Sequence, residues 1–274
     1  MRIRGKISKF AALLIFFTAC EEVIDIELKS AAPTLAVEAS ISRDSVCIAR
    51  LTTTTAYFET AQPGIIDNAE VSVSDGNQTE ILSYTGNGLY KGSSLTGIEN
   101  TGYELLIRYE GREYRASSFM PEKTNISNSG YSKSNQQSIL NPDGETVFTV
   151  SCSFPDNPLE DNYYMITYTE DGSLIERRFF MLTEKNNNGG TMEYGLDNTI
   201  RFAESIFYEG GEIELKLYSI DEAIYNYFFQ LDDILFWKRR YLPPVPYNPL
   251  SNFSNGALGY FAAWNIDSVT MTLE

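Results

Sequence analysis

A series of short alternating segments between Pro33 and Pro121 constrains the fold of this chain more than any other feature. Ala69–Asp75 is the clearest of them, with valines on one face and mostly polar side chains on the other. Such alternation is typical of a strand with one buried face, and Asp-Gly and Asn-Gly pairs mark turns between strands. About seven short strands, spaced roughly 8–12 residues apart, predict an immunoglobulin-like β-sandwich over residues 33–121.

The second half of the chain also has the pattern of a β protein. Residues 122–144 are rich in Ser, Asn and Gln, which predicts a linker or long surface loop. Strand-like runs resume over residues 145–274 and predict a second β-rich domain. One amphipathic helix is expected near residues 220–236, because apolar side chains recur there at helical spacing. Ser219 and Glu222 predict a capping box at its start.

The first residues have the pattern of an export signal. Residues 1–19 combine a basic head with the apolar run Phe10–Phe17, which is too short to span a bilayer. Cys20 follows Phe-Thr-Ala, which fits a bacterial lipoprotein signal except for Phe where Leu is usual. We therefore expect a lipoprotein signal peptide, lipid on Cys20 and a lipidated tether over residues 20–32. The alternative is a signal without lipidation.

The charge of the chain and its lack of histidine exclude several classes of function. The formal net charge is −16, and so acidic a surface repels nucleic acid and anionic lipid head groups. Histidine is the commonest general base, nucleophile activator and metal ligand, and the sequence contains none. Ser-His-Asp hydrolases, Cys-His proteases and His-liganded zinc enzymes are thereby excluded. We expect no enzymatic activity, no metal and no cofactor.

Cys47 and Cys152 are the cysteines other than Cys20. Each lies on an alternating segment, on the same face as apolar residues, which predicts a small core residue. Because the two fall in different predicted domains, two buried thiols are favoured. A disulfide between them is the alternative, since an oxidising envelope permits one.

Paired carboxylates are the candidates for chemistry without histidine. Glu160 with Asp161 and Asp232 with Asp233 could serve a glycosidase, but neighbours in sequence on a helix face different ways, so catalysis is not the favoured interpretation. The oxygen-rich segment from Asp156 to Asn162 could hold Ca²⁺. A capped turn is favoured instead, because the spacing matches no EF-hand.

The segment after the predicted helix is our candidate contact surface. A dense basic cluster lies there among prolines and aromatic side chains, a composition found at interface hot spots. The alternative is a helix C-terminus with favourable cations, followed by aromatic side chains that pack under a long loop. The predicted partner-binding residues are Trp237, Arg239, Arg240, Tyr241, Tyr247 and Phe253.

Several stretches carry a resemblance to a known family. The closing run Pro246–Phe261 (PYNPLSNFSNGALGYF), the head Cys20–Asp25 and the Asn162–Tyr164 segment resemble a Bacteroidetes lipoprotein family catalogued as DUF4249. The resemblance spans nearly the whole mature chain and implies an outer-membrane lipoprotein. The family is often encoded beside TonB-dependent outer-membrane receptors. No activity is attached to it, so no catalytic residue is carried over.

These observations together predict a non-enzymatic lipoprotein that faces the cell exterior. Glu21 and Glu22, directly after the lipidated Cys20, resemble the surface-export signal of Bacteroidetes lipoproteins, and a polar tether is their alternative. The expected role is accessory to a TonB-dependent receptor, in ligand capture or in assembly of an envelope complex. The alternative is an adhesin, or a structural module that binds glycan or protein alone. The oligomeric state is left open.

Overall fold

Strands make up most of the chain in the computed structural model. The structure describes residues 32–55, 62–135, 146–158, 161–174, 179–183, 190–197, 207–237 and 247–274. The prediction of a mainly β, sandwich-like fold with one helix is confirmed for these residues. The strands are β1 (Leu35–Ser42), β2 (Val46–Thr53), β3 (Gly64–Ile65), β4 (Glu70–Ser74), β5 (Thr79–Ile81), β6 (Ser83–Gly86), β7 (Leu89–Thr96), β8 (Thr101–Tyr109), β9 (Arg112–Met120), β10 (Asn128–Ser134), β11 (Val147–Pro155), β12 (Tyr163–Glu170), β13 (Ser173–Leu174), β14 (Phe180–Thr183), β15 (Thr191–Asp197), β16 (Glu212–Ile220) and β17 (Leu258–Thr272).

The largest sheet joins the beginning of the described chain to its end. Its strand order is β13-β12-β16-β17-β1-β2-β7-β6, with β14 beside β12 and β3 beside β2. Strand β1 runs antiparallel to β2 and parallel to β17. The 15 residues of β17 have two partners, because Leu258–Trp264 pairs with β1 and Asn265–Thr272 pairs with β16. One continuous sheet therefore crosses the boundary between the two predicted domains.

Two smaller sheets cover this sheet and enclose the cores. The four-stranded sheet β5-β4-β8-β9 shares one buried cluster with β1, β2 and β7, and the three-stranded sheet β10-β11-β15 shares another with β12 and β16. Strand β17 contributes Phe261 and Ala263 to the first cluster and packs Val269 and Met271 against the second. Pro33–Glu274 accordingly groups as one unit. The division into two domains stays a prediction.

The helix and strand boundaries correct the sequence analysis at two places. Strand β10 lies inside residues 122–144, which were predicted as a linker or loop, because its polar residues pair along one edge of β11. The helix α1 (Glu222–Trp237) begins after Ser219, which is still part of β16, so the predicted capping box is wrong. No helix within the described residues is both long enough and apolar enough to cross a membrane.

Cys47 and Cys152 are free and buried, as predicted, so the alternative of a disulfide is wrong. Cys47 lies in the core beneath the four-stranded sheet, and Cys152 lies in the core beneath the three-stranded sheet. Burial, followed by the charge of Glu80, raises the pKa of Cys47 to about 12. Burial alone raises the pKa of Cys152 to about 11. Both thiols are therefore protonated at neutral pH and unreactive.

Residues 247–257 lead into β17, and we call them the closing segment. They cover the outer edge of the four-stranded sheet. Ser254 exchanges two hydrogen bonds with the backbone of Arg115 on β9: its N donates to the Arg115 carbonyl (2.8 Å), and its hydroxyl accepts from the Arg115 N–H (2.9 Å). Asn252 Nδ2 donates to the carbonyls of Ser117 (3.1 Å) and Phe261 (2.8 Å), which joins β9 to β17. An unpaired strand edge invites association with other chains, and this segment blocks it.

Candidate partner-binding surface

Helix α1 lies on the face of the large sheet that is turned away from the two cores. Ile224 and Phe228 are buried against this face. The ring of Phe228 lies 4.9 Å from that of Tyr260 and 6.4 Å from that of Trp264, both on β17. Aromatic pairs of this kind contribute about 0.5–1.5 kcal/mol beyond the burial of their area. The apolar side of the helix is therefore fixed in place, and its opposite side is free to carry function.

Asp221 holds the first turn of α1 against strand β9. Its Oδ1 accepts a hydrogen bond from the N–H of Ile224 (2.9 Å), which is the usual interaction of a helix N-cap. Its Oδ2 accepts from the Ser118 hydroxyl (2.5 Å) and from the N–H of Phe119 (2.9 Å). The Ser118 hydroxyl in turn accepts from the N–H of Ala263 on β17 (2.8 Å). One carboxylate thus ties the helix, β9 and β17 together.

Three large apolar side chains are exposed on or beside the outer side of α1. Phe229 is 55% exposed, Tyr247 is 43% exposed and Leu250 is 67% exposed. The Tyr247 hydroxyl donates to Asp233 (3.2 Å), and the N–H of Leu250 donates to Gln230 Oε1 (2.8 Å). These bonds hold residues 247–250 along the helix. We call Phe229, Tyr247 and Leu250 the helix-face patch.

An open cavity of about 320 Å³ adjoins the helix-face patch. Side chains from α1, from β14 with the residue before it, and from β15 form its wall, and four of the seven lining residues are aromatic. Two carboxylates on α1 complete the wall. The lining residues are Phe179, Phe180, Met181, Tyr194, Phe229, Asp232 and Asp233. We call this the aromatic cavity.

The predicted contact residues differ in how far they are exposed. Tyr247 is exposed and held by Asp233, as a contact residue should be. Phe253 is only 8% exposed and belongs to the core beneath the four-stranded sheet, which corrects the prediction at this residue. Its ring is buried because Phe253 bridges to Ala116 of β9. Trp237 is the last residue of α1, and its side chain is not described. Outside the described residues lie Cys20, Glu21, Glu22, Arg239, Arg240 and Tyr241.

The structure describes both members of only one of the two carboxylate pairs. Asp232 and Asp233 line the aromatic cavity, and Glu160 lies outside the described residues. In the oxygen-rich segment, buried Asp156 accepts a hydrogen bond from the Tyr164 hydroxyl (3.1 Å). Within the part of the chain that the structure describes, no three acidic or cysteine side chains come together as a metal site would require.

A second cavity, of about 560 Å³, lies where the four-stranded sheet meets the start of α1. Phe119 of β9 lines it and is 46% exposed. Its cross-strand neighbour is Gly102, which has open space where a side chain would stand. Ser74, Ser117 and Glu104 add polar groups to the wall. We call this the sheet-face cavity.

Phe229 and Phe119 are the site residues that sequence analysis missed. Phe229 falls between the apolar and the polar positions of α1. A large aromatic residue at such a position could have been predicted as an exposed contact residue. Phe119 alternates with buried Ser118 and Met120, so its exposed position follows from the strand period alone. The aromatic cavity had no such signal, because its wall comes from elements about 50 residues apart in sequence.

The chain belongs to the family described as domain of unknown function DUF4249, whose model matches residues 21–270. This match confirms the family named from the closing motif and the head of the chain. No curated protein matches the sequence significantly.

Proposed function

We propose that the chain is a non-enzymatic, surface-exposed outer-membrane lipoprotein that assists a TonB-dependent receptor. Its role is ligand capture or the assembly of an envelope complex. Lipid on Cys20 is the anchor in this proposal, and Glu21 and Glu22 direct export to the cell exterior. Buried lipid methylenes contribute about 0.8 kcal/mol each, so two or more acyl chains suffice for stable attachment.

The observation that carries the proposal is the helix-face patch. A single exposed apolar side chain is ordinary on a protein surface, but three on or beside one helix, one of which lines a cavity, are typical of an interaction site. The helix beneath them is fixed by Asp221 and by its aromatic contacts. A patch held in place before binding loses less entropy when a partner arrives.

Asp232 and Asp233 beside the patch define the chemistry of the partner. Complementary charge speeds association and suppresses wrong partners. The proposed partner surface therefore presents apolar side chains flanked by basic groups, on the receptor regions exposed to the cell exterior.

Crosslinking in cells tests the receptor role. A tagged chain should recover a TonB-dependent receptor from the solubilised outer membrane. Phe229→Ala combined with Leu250→Ala should reduce recovery at least tenfold, whereas Phe119→Ala, a ring truncation on the sheet-face cavity, should not. Recovery of the receptor by the double variant at the normal level would refute the helix-face patch as the contact surface.

Attachment is tested separately. Cys20→Ser should release the chain from the membrane fraction or leave it as an unprocessed precursor. A Cys20→Ser chain that is still processed and still bound to the membrane would show that lipid on Cys20 is not the anchor.

The sheet-face cavity favours a second candidate, direct binding of glycan or protein by the chain alone. Phe119 offers an exposed ring beside hydroxyl and carboxylate groups, a combination found in ligand sites. The delipidated chain should then bind immobilised envelope polysaccharide or host matrix protein without any receptor, and Phe119→Ala should abolish that binding. Binding that survives Phe119→Ala, or no binding at all, would eliminate this candidate.

A further inference from the structure

The wall of the aromatic cavity combines aromatic rings with carboxylates. Four aromatic rings, those of Phe179, Phe180, Tyr194 and Phe229, line it together with the carboxylates of Asp232 and Asp233. The face of an aromatic ring is negative and attracts a cation within about 6 Å of its centre. Rings and carboxylates therefore favour the same kind of ligand, which is a positively charged group with some apolar surface.

Contacts behind the cavity hold its rings in fixed positions. Phe180 lies 5.1 Å from Tyr194 between ring centres, at an interplanar angle of 46°. Phe179 lies 4.7 Å from Phe228, which is buried beneath α1. Phe229 stacks on Tyr225 one turn earlier in the helix, at 5.9 Å and 16°. The wall of the aromatic cavity is thus formed before a ligand arrives, so binding requires little reorganisation.

Charge and size narrow the ligand further. Two of the described lining residues are carboxylates, and the preference for a cation rests on the rings and on Asp233. Asp233 accepts a hydrogen bond from Tyr247, which orients its carboxylate without neutralising it. A volume of about 320 Å³ is at the lower end of the roughly 300–1,000 Å³ typical of ligand pockets. It suits one cationic group with a short apolar body.

We propose that the aromatic cavity binds an organic cation, a guanidinium or alkylammonium group carried on an apolar stem. The cation has two sources: a basic side chain of the partner protein, or a free small molecule. In the first case the inference rests on the proposed receptor role and specifies how the partner is recognised. In the second case it stands without a receptor.

Two pairs of probes test the charge preference directly. Choline and its neutral isostere 3,3-dimethylbutanol form one pair, and Nα-acetyl-arginine amide and Nα-acetyl-citrulline amide form the other. Each is titrated to 50 mM into the folded, delipidated chain with labelled Phe and Tyr, and ring resonances are followed by NMR. At least one cation should shift these resonances with a millimolar dissociation constant, about 3- to 30-fold tighter than its neutral isostere. Equal binding of isosteres, or no shift by either cation, would overturn the proposal.

Variants locate the binding. Phe229→Ala and the pair Asp232→Asn with Asp233→Asn should each weaken the cation about 3- to 30-fold. Phe229 is exposed and both aspartates are partly exposed, so the circular dichroism spectrum should not change. Tyr84→Ala removes a comparably exposed ring on β6 and should leave the affinity unchanged. Equal affinity in the Phe229→Ala chain would place the cation outside the aromatic cavity and overturn the proposal.

The receptor capture described above separates the two sources. If a partner side chain is the cation, Nα-acetyl-arginine amide should compete with receptor recovery and the citrulline analogue should not. If the probe binds but recovery is unaffected, the source is a free small molecule. A chain that binds the probes but recovers no receptor would refute the receptor role alone, and a chain that recovers the receptor but binds no probe would refute the cation site alone.

Discussion

Replacement of Asp221 is the most informative perturbation of the contacts that hold α1, and with it the helix-face patch, against β9 and β17. Asp221→Ala removes the acceptor for three hydrogen bonds, from the Ile224 N–H, the Ser118 hydroxyl and the Phe119 N–H. Loss of an N-cap costs about 1 kcal/mol. A buried donor left without an acceptor costs about 1–3 kcal/mol, and Ser118 is 5% exposed. Allowing for a hydroxyl that can rotate, we expect a loss of about 3 kcal/mol in the free energy of unfolding.

Two matched variants separate the causes of this loss. Asn caps a helix about as well as Asp, so Asp221→Asn should cost only about 1–2 kcal/mol, from its loss of charge and of one acceptor. Glu222→Ala removes the next carboxylate along the chain, which is exposed in the first turn. Its cost should be about 0.5 kcal/mol, the size of an interaction with the helix dipole.

Denaturant unfolding followed by tryptophan fluorescence measures these differences. Trp264 reports on the packing beneath α1, because its ring lies 5.2 Å from Tyr218 and 6.4 Å from Phe228. Asp221→Ala and Ser118→Ala should also be coupled by at least about 0.5 kcal/mol in a double-mutant cycle, since each removes the other's partner. A loss under about 1 kcal/mol for Asp221→Ala, or additive effects in the cycle, would refute the bridging role of this carboxylate.

Three further predictions concern other parts of the fold. Although burial raises the pKa of Glu80, hydrogen bonds from the Ser93 hydroxyl and from the backbone N–H groups of residues 93–95 lower it to about 2. Glu80→Gln should therefore cost about 1–2 kcal/mol in denaturant unfolding at pH 7, and this difference should fall as the pH drops from 4.5 towards 2; a difference independent of pH would contradict this. Burial, followed by the charge of Asp171, raises the pKa of Glu170 to about 7. Glu170→Gln should therefore raise the free energy of unfolding by about 1 kcal/mol at pH 8 and leave it unchanged at pH 4.5. The opposite pH trend would refute the burial of this carboxyl. Gly259 has a φ of +93°, and an added Cβ would collide with the Val37 carbonyl oxygen. Gly259→Ala should therefore lower the free energy of unfolding by about 3 kcal/mol or more. A normal melting temperature would show that β1 and β17 separate easily there.

The strand pattern was readable from the sequence because burial alternates with every residue of a strand. Ala69–Asp75, for example, contains β4. The partners of the strands were not readable. Strands β1 and β17 pair in parallel although more than 200 residues separate them, and a period of two identifies a buried face but not the strand that lies beside it. The sheet that crosses the predicted domain boundary follows from this one pairing.

The site was predicted less completely, for reasons that particular residues show. Ser219 and Asp221 are both good N-cap residues, and the choice between them depends on where β16 ends, which sequence spacing does not determine. The segment around Phe253 has the composition of an exposed interface loop. Phe253 is nevertheless buried, because the chain there returns to β9. Tyr247 was predicted as a contact residue and is exposed, but its position along α1 depends on the hydrogen bond to Asp233.

The closing segment links edge protection to the proposed binding site. Asn252 and Ser254 hold it along β9, while Leu250 and Tyr247, a few residues earlier, are held along α1. A loop of this length would lose considerable entropy if only the partner ordered it. Here hydrogen bonds to two elements of the frame have already ordered its described part, and those elements are joined to each other through Asp221. The exposed aromatic side chains therefore have the rigid support that a binding surface needs.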